Sequence, residues 1–212
     1  MMQNGPVGIF LAFRTFNGNA RNLLLNIQER ITSKNIHFQY YLKCSAETPK
    51  RRAFCHVEMV LDDWCWFGTF KGEKVFVRKK KKSAIMNYKQ FALMMVPRKV
   101  ACELFEFARV HQSEPFSLPI IAWNWTLHHV LGWSGGLVRS KRLWYCSKLV
   151  IESMLHAGIV GNGELDPLTS TPEDIYWWCV EKVAGDATGG RSIKYFMWDL
   201  PEFLLYTDKK CI

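Results

Sequence analysis

The chain has 212 residues, enough for one domain with a sizeable core. Hydrophobic residues make up 49% and charged ones 22%, which excludes a disordered chain, and no apolar run approaches the ~20 residues that cross a bilayer. The formal charge of +9 suits a polyanionic partner such as nucleic acid or an anionic membrane surface.

Val7 to Phe13 predicts a buried strand, and Asn19 the cap of a helix carrying Leu23, Leu24, Leu25, Ile27 and Ile31. Phe38 to Leu42 alternates like another strand before a polar loop from Ser45 to Arg52. Phe54 to Leu61 and Trp64 to Phe70 form two strands around an Asp62-Asp63 turn, hence a β-hairpin. A third strand, Lys74 to Val77, follows the Lys71-Gly72-Glu73 turn and completes an antiparallel meander.

The run Arg78-Lys79-Lys80-Lys81-Lys82 comes next, with Lys50-Arg51-Arg52 as a second basic group. Such a run is ordinarily a solvated loop or strand end; the sharper possibility is weak contact with nucleic acid or an anionic surface through these five residues. Pro97 opens a helix whose core stripe is Val100, Leu104, Phe107 and Ala108, broken at Glu114-Pro115-Phe116-Ser117. A Trp-rich helix is predicted from Ile120 to Leu131, ahead of a flexible loop at Gly132 to Gly136.

Trp144 to Ile159 predicts a helix with Leu149, Val150, Met154 and Leu155 inward and Gly158 as its stop, which places Cys146 near the N-terminus. Ser170-Thr171-Pro172-Glu173-Asp174 supplies a cap, a first-turn proline and two acids, and starts a shorter helix.

Seven cysteines, Cys44, Cys55, Cys65, Cys102, Cys146, Cys179 and Cys211, are an odd number without framework spacing, as expected of free thiols in a reducing compartment. Val7 to Phe13 also lacks the cationic lead and cleavage site of a signal peptide. An intracellular location is expected, whether cytoplasmic, nuclear or virion-associated. Cys55 and Cys65 are too far apart for a CxxC knuckle, so no structural zinc is expected.

A helix N-terminus stabilises a thiolate through its free N–H groups and the positive end of its dipole, so Cys146 is the candidate nucleophile. Its own N–H or a neighbour's can face the oxyanion that develops on an attacked carbonyl. Among six histidines, His56 is the best-placed base, at the start of a strand whose sheet can pack on the Cys146 helix. His128 and His129 fall in the Trp-rich helix, His156 lies ten residues along the cysteine's own helix, and His37 and His111 sit beside polar loop residues. Taken singly, a helix cysteine is commonly an inert hydrophobe and a strand histidine a structural one. Their order and their elements give the pair its meaning.

His56 opening a strand, a second strand after a short turn, intervening helices, and Trp144-Tyr145-Cys146-Ser147-Lys148-Leu149-Val150 on a helix together resemble the circularly permuted NlpC-type papain-like hydrolases. That group includes bacterial amidase-like proteins, lecithin:retinol acyltransferase-like enzymes and proteins of large DNA viruses. The hairpin is also similar to that of PPPDE-type peptidases, although the helix sequence fits them less well. The resemblance covers about residues 54 to 178.

It implies an α+β fold, a permuted papain-like antiparallel sheet packed against the nucleophile helix. Residues 1–212 would then be one domain, with an N-terminal strand and helix elaboration over 1–53 and a C-terminal extension over 179–212. It also implies a Cys146–His56 dyad and a polar third residue on the strand after the histidine strand. There the chain departs from the pattern, offering Gly68 and Thr69. Thr69 is the direct candidate, and Glu58, two residues from His56 on the same strand face, is the substitute.

The expected activity is a thiol hydrolase of the amidase or peptidase class, acting through a Cys146 acyl-enzyme on a peptide, isopeptide or lipid substrate, with no metal or organic cofactor. The alternatives are a non-catalytic basic binding module and a lipid acyltransferase or phospholipase of the same fold. Substrate selectivity would rest with the Gly132 to Lys141 loop and the Trp123-Asn124-Trp125 region.

Overall fold

A computed structural model describes residues 5–15, 54–61, 65–69, 74–80, 82–117, 120, 123–124, 143–186 and 193–199. The helix expected after Asn19, the strand at Phe38, the Asp62-Asp63 turn and the Gly132 to Lys141 loop lie outside these residues.

The fold is α+β. Six strands form one antiparallel sheet: β1 (Val7–Thr15), β2 (Phe54–Val60), β3 (Cys65–Gly68), β4 (Phe76–Lys79), β5 (Tyr88–Val96) and β6 (Lys194–Asp199). Their spatial order is β4-β3-β2-β1-β5-β6. The helices are the short α1 (Lys82–Ile85), α2 (Arg98–His111), α3 (Cys146–His156) and α4 (Pro172–Asp186). No helix among the described residues is long and apolar enough to cross a membrane.

Strand alternation assigns the two faces. Ile9, Leu11 and Phe13 of β1, with Val57 and Met59 of β2, join the helices' Leu104, Leu149, Val150, Met154 and Ile175 in the larger core. Phe10 and Ala12, with Val60, Trp66, Phe76 and Tyr88, form a smaller core on the opposite face. Glu58 and His56 share parity with Val60 and so belong to that second face.

The expected meander is present, with its third strand displaced. Lys74 to Val77 was the expected span, whereas β4 runs from Phe76 to Lys79. The backbone of Val75 is already engaged, its N–H donating to Glu114 O (2.8 Å) and its carbonyl accepting from Ser113 N (2.8 Å). The ladder with β3 therefore starts one residue later, pairing Phe76 with Gly68 and ending with Lys79 opposite Cys65. Two basic residues of the run are thus strand residues.

Two strands carry no sequence expectation. β5 is flanked by β1 and β6, and its Phe91 to Met94 are all buried, so it shows a continuous apolar run in place of alternation. β6 closes the sheet beyond it, from a segment assigned by sequence to the C-terminal extension. The strand assigned to the N-terminal elaboration, β1, lies inside the sheet between β2 and β5.

Helix limits follow from local chemistry. The expected start at Thr171-Pro172 is observed as a reciprocal cap: Asp174 N–H donates to Thr171 Oγ1 (3.2 Å) and Thr171 N–H to Asp174 Oδ2 (2.8 Å). The helix is not the short one expected. With 15 residues against the 11 of α3, α4 is the longer, because Ile175, Trp178 and Cys179 keep a buried stripe going over the turns that follow. At the end of α3, Gly158 takes a left-handed φ of 68°, and Ile159 N–H reaches back to Met154 O (2.8 Å), as the Gly158 stop predicts.

Candidate active site

Cys146 is the first residue of α3, after an extended Tyr145. Its approach is fixed from both sides. Trp144 N–H donates to Pro115 O (3.1 Å) and Ser117 N–H to Trp144 O (2.9 Å), while Trp144 Nε1 donates to Glu114. Tyr145, itself buried, donates through its hydroxyl toward Pro167 O (2.8 Å) and Leu168 O (2.9 Å), pinning the segment that leads to α4. Lys148, also buried, donates to Leu143 O (3.0 Å) across the face of Trp144.

Helix α3 meets the sheet where β3 stops. β2 and β3 pair at Val60 with Trp66 and at Met59 with Phe67, and β3 ends at Gly68. The next part of β2, Val57 and His56, lies past that end, and a backbone hydrogen bond from Val57 reaches Cys146. Ser147 supplies a second backbone N–H to the same sulfur. Glu173, at the start of α4, steadies the neighbouring end of β2 by accepting from Phe54 N–H (3.3 Å) and from Trp177 Nε1 (3.1 Å).

His56 and Cys146 are hydrogen-bonded. Glu58 Oε1 takes the ring's Nε2 at 2.7 Å, so Nδ1 is the nitrogen available to the thiol. His56 is 5% exposed and Glu58 1%. Burial opposes charge on all three groups, yet mutual attraction outweighs it. Burial pulls His56 down, while Cys146 and Glu58 together push it up to about 9. The Cys146 thiol is held below its usual range: burial opposes this, and the His56 charge with the two backbone N–H groups overcomes it. Glu58 is likewise lowered against its own burial by His56 and Lys80. The contacts thus favour the charged forms of Cys146, His56 and Glu58 against their burial.

The structure brings together Cys146, His56 and Glu58 among the residues predicted for the site. Thr69, the other expected orienting group, is wholly buried one residue past Gly68. The contact at Nε2 is made by Glu58. Gly68 stands where the third residue was expected, and its missing side chain leaves the space that the Glu58 side chain occupies.

Two neighbours of Glu58 were not foreseen. Lys80 forms an ion pair with its Oε2, and Tyr88, on β5, hydrogen-bonds it and accepts from Lys80 Nζ (2.6 Å). Lys80 was expected at a nucleic-acid or anionic surface, but its side chain is only 11% exposed and its ammonium faces inward. Arg78 and Lys79 of the same run are exposed, and Lys81 lies outside the described residues. The strand period gave no signal for it, since Arg78 shares the parity of buried Phe76 and is exposed. Tyr88 carried no local signal at all.

Asn124, in the region expected to govern selectivity, is buried and hydrogen-bonded to Tyr145 beside Cys146, while its neighbour Trp123 is exposed. His111 and His156 have roles elsewhere, facing Glu114 (2.9 Å) and Glu103 (3.6 Å). His37, His128 and His129 lie outside the described residues. Among the described residues, no cluster of three His, Cys, Asp or Glu side chains could hold a metal ion.

No protein-family model matches the chain, and searches of curated proteins and of solved structures likewise find no match.

Proposed function

We propose that the chain is a cysteine hydrolase of permuted papain-like type, cleaving an amide or ester through a thioester on Cys146. The observation that carries this reading is the chain of contacts from half-buried Cys146 through buried His56 to buried Glu58, with the cysteine at the first position of a helix.

The thiolate attacks the substrate carbonyl carbon, forming a C–S bond and moving the C=O π electrons onto oxygen. The Cys146 amide, first in α3 and without an acceptor within the helix, offers that oxyanion a donor. As the tetrahedral intermediate collapses, the C–N or C–O bond to the leaving group breaks and His56 gives it a proton. Neutral His56 then takes a proton from water, which attacks the thioester. Release of the acid returns the thiolate and the imidazolium.

Glu58 acts on His56 and not on substrate. Its carboxylate fixes the ring and favours the imidazolium, and with it the ion pair over the neutral thiol–imidazole pair. The same acyl-enzyme passed to an acceptor other than water would make the chain an acyltransferase. Arg78 and Lys79, exposed on the outer strand β4, are the residues by which it would meet an anionic surface or nucleic acid.

The direct test is intact-mass spectrometry of the full chain after incubation with peptide, isopeptide and lipid-ester panels. A hydroxylamine-labile adduct that maps to Cys146, and is absent from Cys146→Ala, is expected. Turnover that survives in Cys146→Ala would remove the assignment.

A further inference from the structure

Burial opposes charge on Glu58, yet its neighbours hold it below the ordinary carboxylate value. It is 1% exposed, and His56 engages only one of its oxygens. An ion withdrawn from water is strongly disfavoured without compensation, so a counter-charge at the second oxygen offsets its burial. Lys80 supplies it through the ion pair to Oε2.

That lysine is not a surface residue that happens to fold inward. Its ammonium lies 4.7 Å from the ring centroid of Trp66, 4.8 Å from that of Tyr88 and 5.4 Å from that of Phe76. Three electron-rich faces hold the cation in place, each attracting it more strongly for lack of water. Tyr88 closes the group, accepting from Lys80 Nζ and hydrogen-bonding Glu58. These rings come from three different strands, β3, β4 and β5.

We propose that Lys80, seated in the box of Trp66, Phe76 and Tyr88, is a positioning residue of the Cys146 site: it keeps Glu58 ionised and turns its Oε1 toward His56. Its meaning for catalysis rests on the hydrolase reading. A buried cation thus adds to the hydrogen bonds that steady the third residue, and Glu58 works from the histidine's own strand because Lys80, just past β4, holds it.

The charged and titratable groups around Glu58 are His56 on its own strand, Lys80 after β4, Tyr88 on β5, Arg14 on β1 opposite both His56 and Tyr88, and Cys146 on α3. Lys80 forms an ion pair with Oε2.

The test follows the Glu58 carboxyl and the His56 ring by carbon-detected NMR titration of the full chain, in wild type, Lys80→Met and Lys80→Arg. Methionine retains much of the stem and removes the charge; arginine restores the charge. In Lys80→Met the Glu58 inflection is expected to rise by about one pH unit, a tenfold change in proton affinity, with Lys80→Arg staying near wild type. Cys146 alkylation in Lys80→Met should slow across the same displaced inflection. An unmoved inflection in Lys80→Met, with only a lower melting temperature, would overturn the proposal and leave Lys80 a packing residue. A displaced inflection together with slow Cys146 alkylation in the wild type would support the hold of Lys80 on Glu58 and overturn the hydrolase reading.

Discussion

Gly68 lies so close to Glu58 that a β-carbon there would stand 2.8 Å from Glu58 Cγ and 3.2 Å from Cδ. Its backbone is in an ordinary region, so the requirement is for space and not for conformational freedom. Gly68→Ala must push a side chain that is fixed at both oxygens, at a cost of about 1–3 kcal/mol. The His56 titration should fall in this variant as it does in Glu58→Gln. A midpoint that stays at the wild-type value in Gly68→Ala would show that Glu58 can yield without consequence.

In the wild type, His56 should titrate near pH 9 by ring NMR, because Cys146 and Glu58 together raise it. Glu58→Gln keeps a hydrogen-bond acceptor and removes the charge, so the midpoint should drop toward the ordinary imidazole range. Cys146 alkylation at neutral pH should slow in the same variant, since the neutral thiol–imidazole pair then competes.

Glu58 also sets a pH dependence of stability. Its folded pKa is lowered, so the unfolded state binds more protons as pH falls below the ordinary carboxylate value of 4.5. The stability contributed by its ionised form is present above 4.5 and is lost as pH falls through the folded value. Melting temperatures measured below 4.5 should therefore fall more steeply for wild type than for Glu58→Gln. Parallel curves would mean that Glu58 titrates alike folded and unfolded.

Thr171→Ala separates fold from site. It removes the hydroxyl that caps α4 and should cost about 1 kcal/mol in urea denaturation. Cys146 alkylation should be unchanged, because the Thr171 hydroxyl bonds within its own helix start at Asp174.

Much of this was legible in the sequence where local chemistry agrees with tertiary placement. The β2–β3 hairpin, the α2 stripe, the Gly158 stop and the Thr171 cap are each written in a few neighbouring residues. So was the pairing of Cys146 with His56, through the order of its elements. What was hidden depends on contacts distant in sequence. β5 reads as Phe91-Ala92-Leu93-Met94-Met95, a run without alternation because neighbours and both faces bury it. Lys80 is one cation among five in sequence, and only the box built by Trp66, Phe76 and Tyr88 sets it apart. The choice between Thr69 and Glu58 for the orienting role likewise turned on how far β3 extends, since its end at Gly68 admits the Glu58 side chain.

The most direct measurement is the pH dependence of iodoacetamide labelling at Cys146, read by peptide mass spectrometry in wild type and in His56→Ala, with exposed Cys102 as the internal reference. A thiolate stabilised by His56 labels rapidly well below about pH 8 and loses that advantage in the variant. Labelling of Cys146 no faster than that of Cys102, and unchanged in His56→Ala, would contradict the activated dyad.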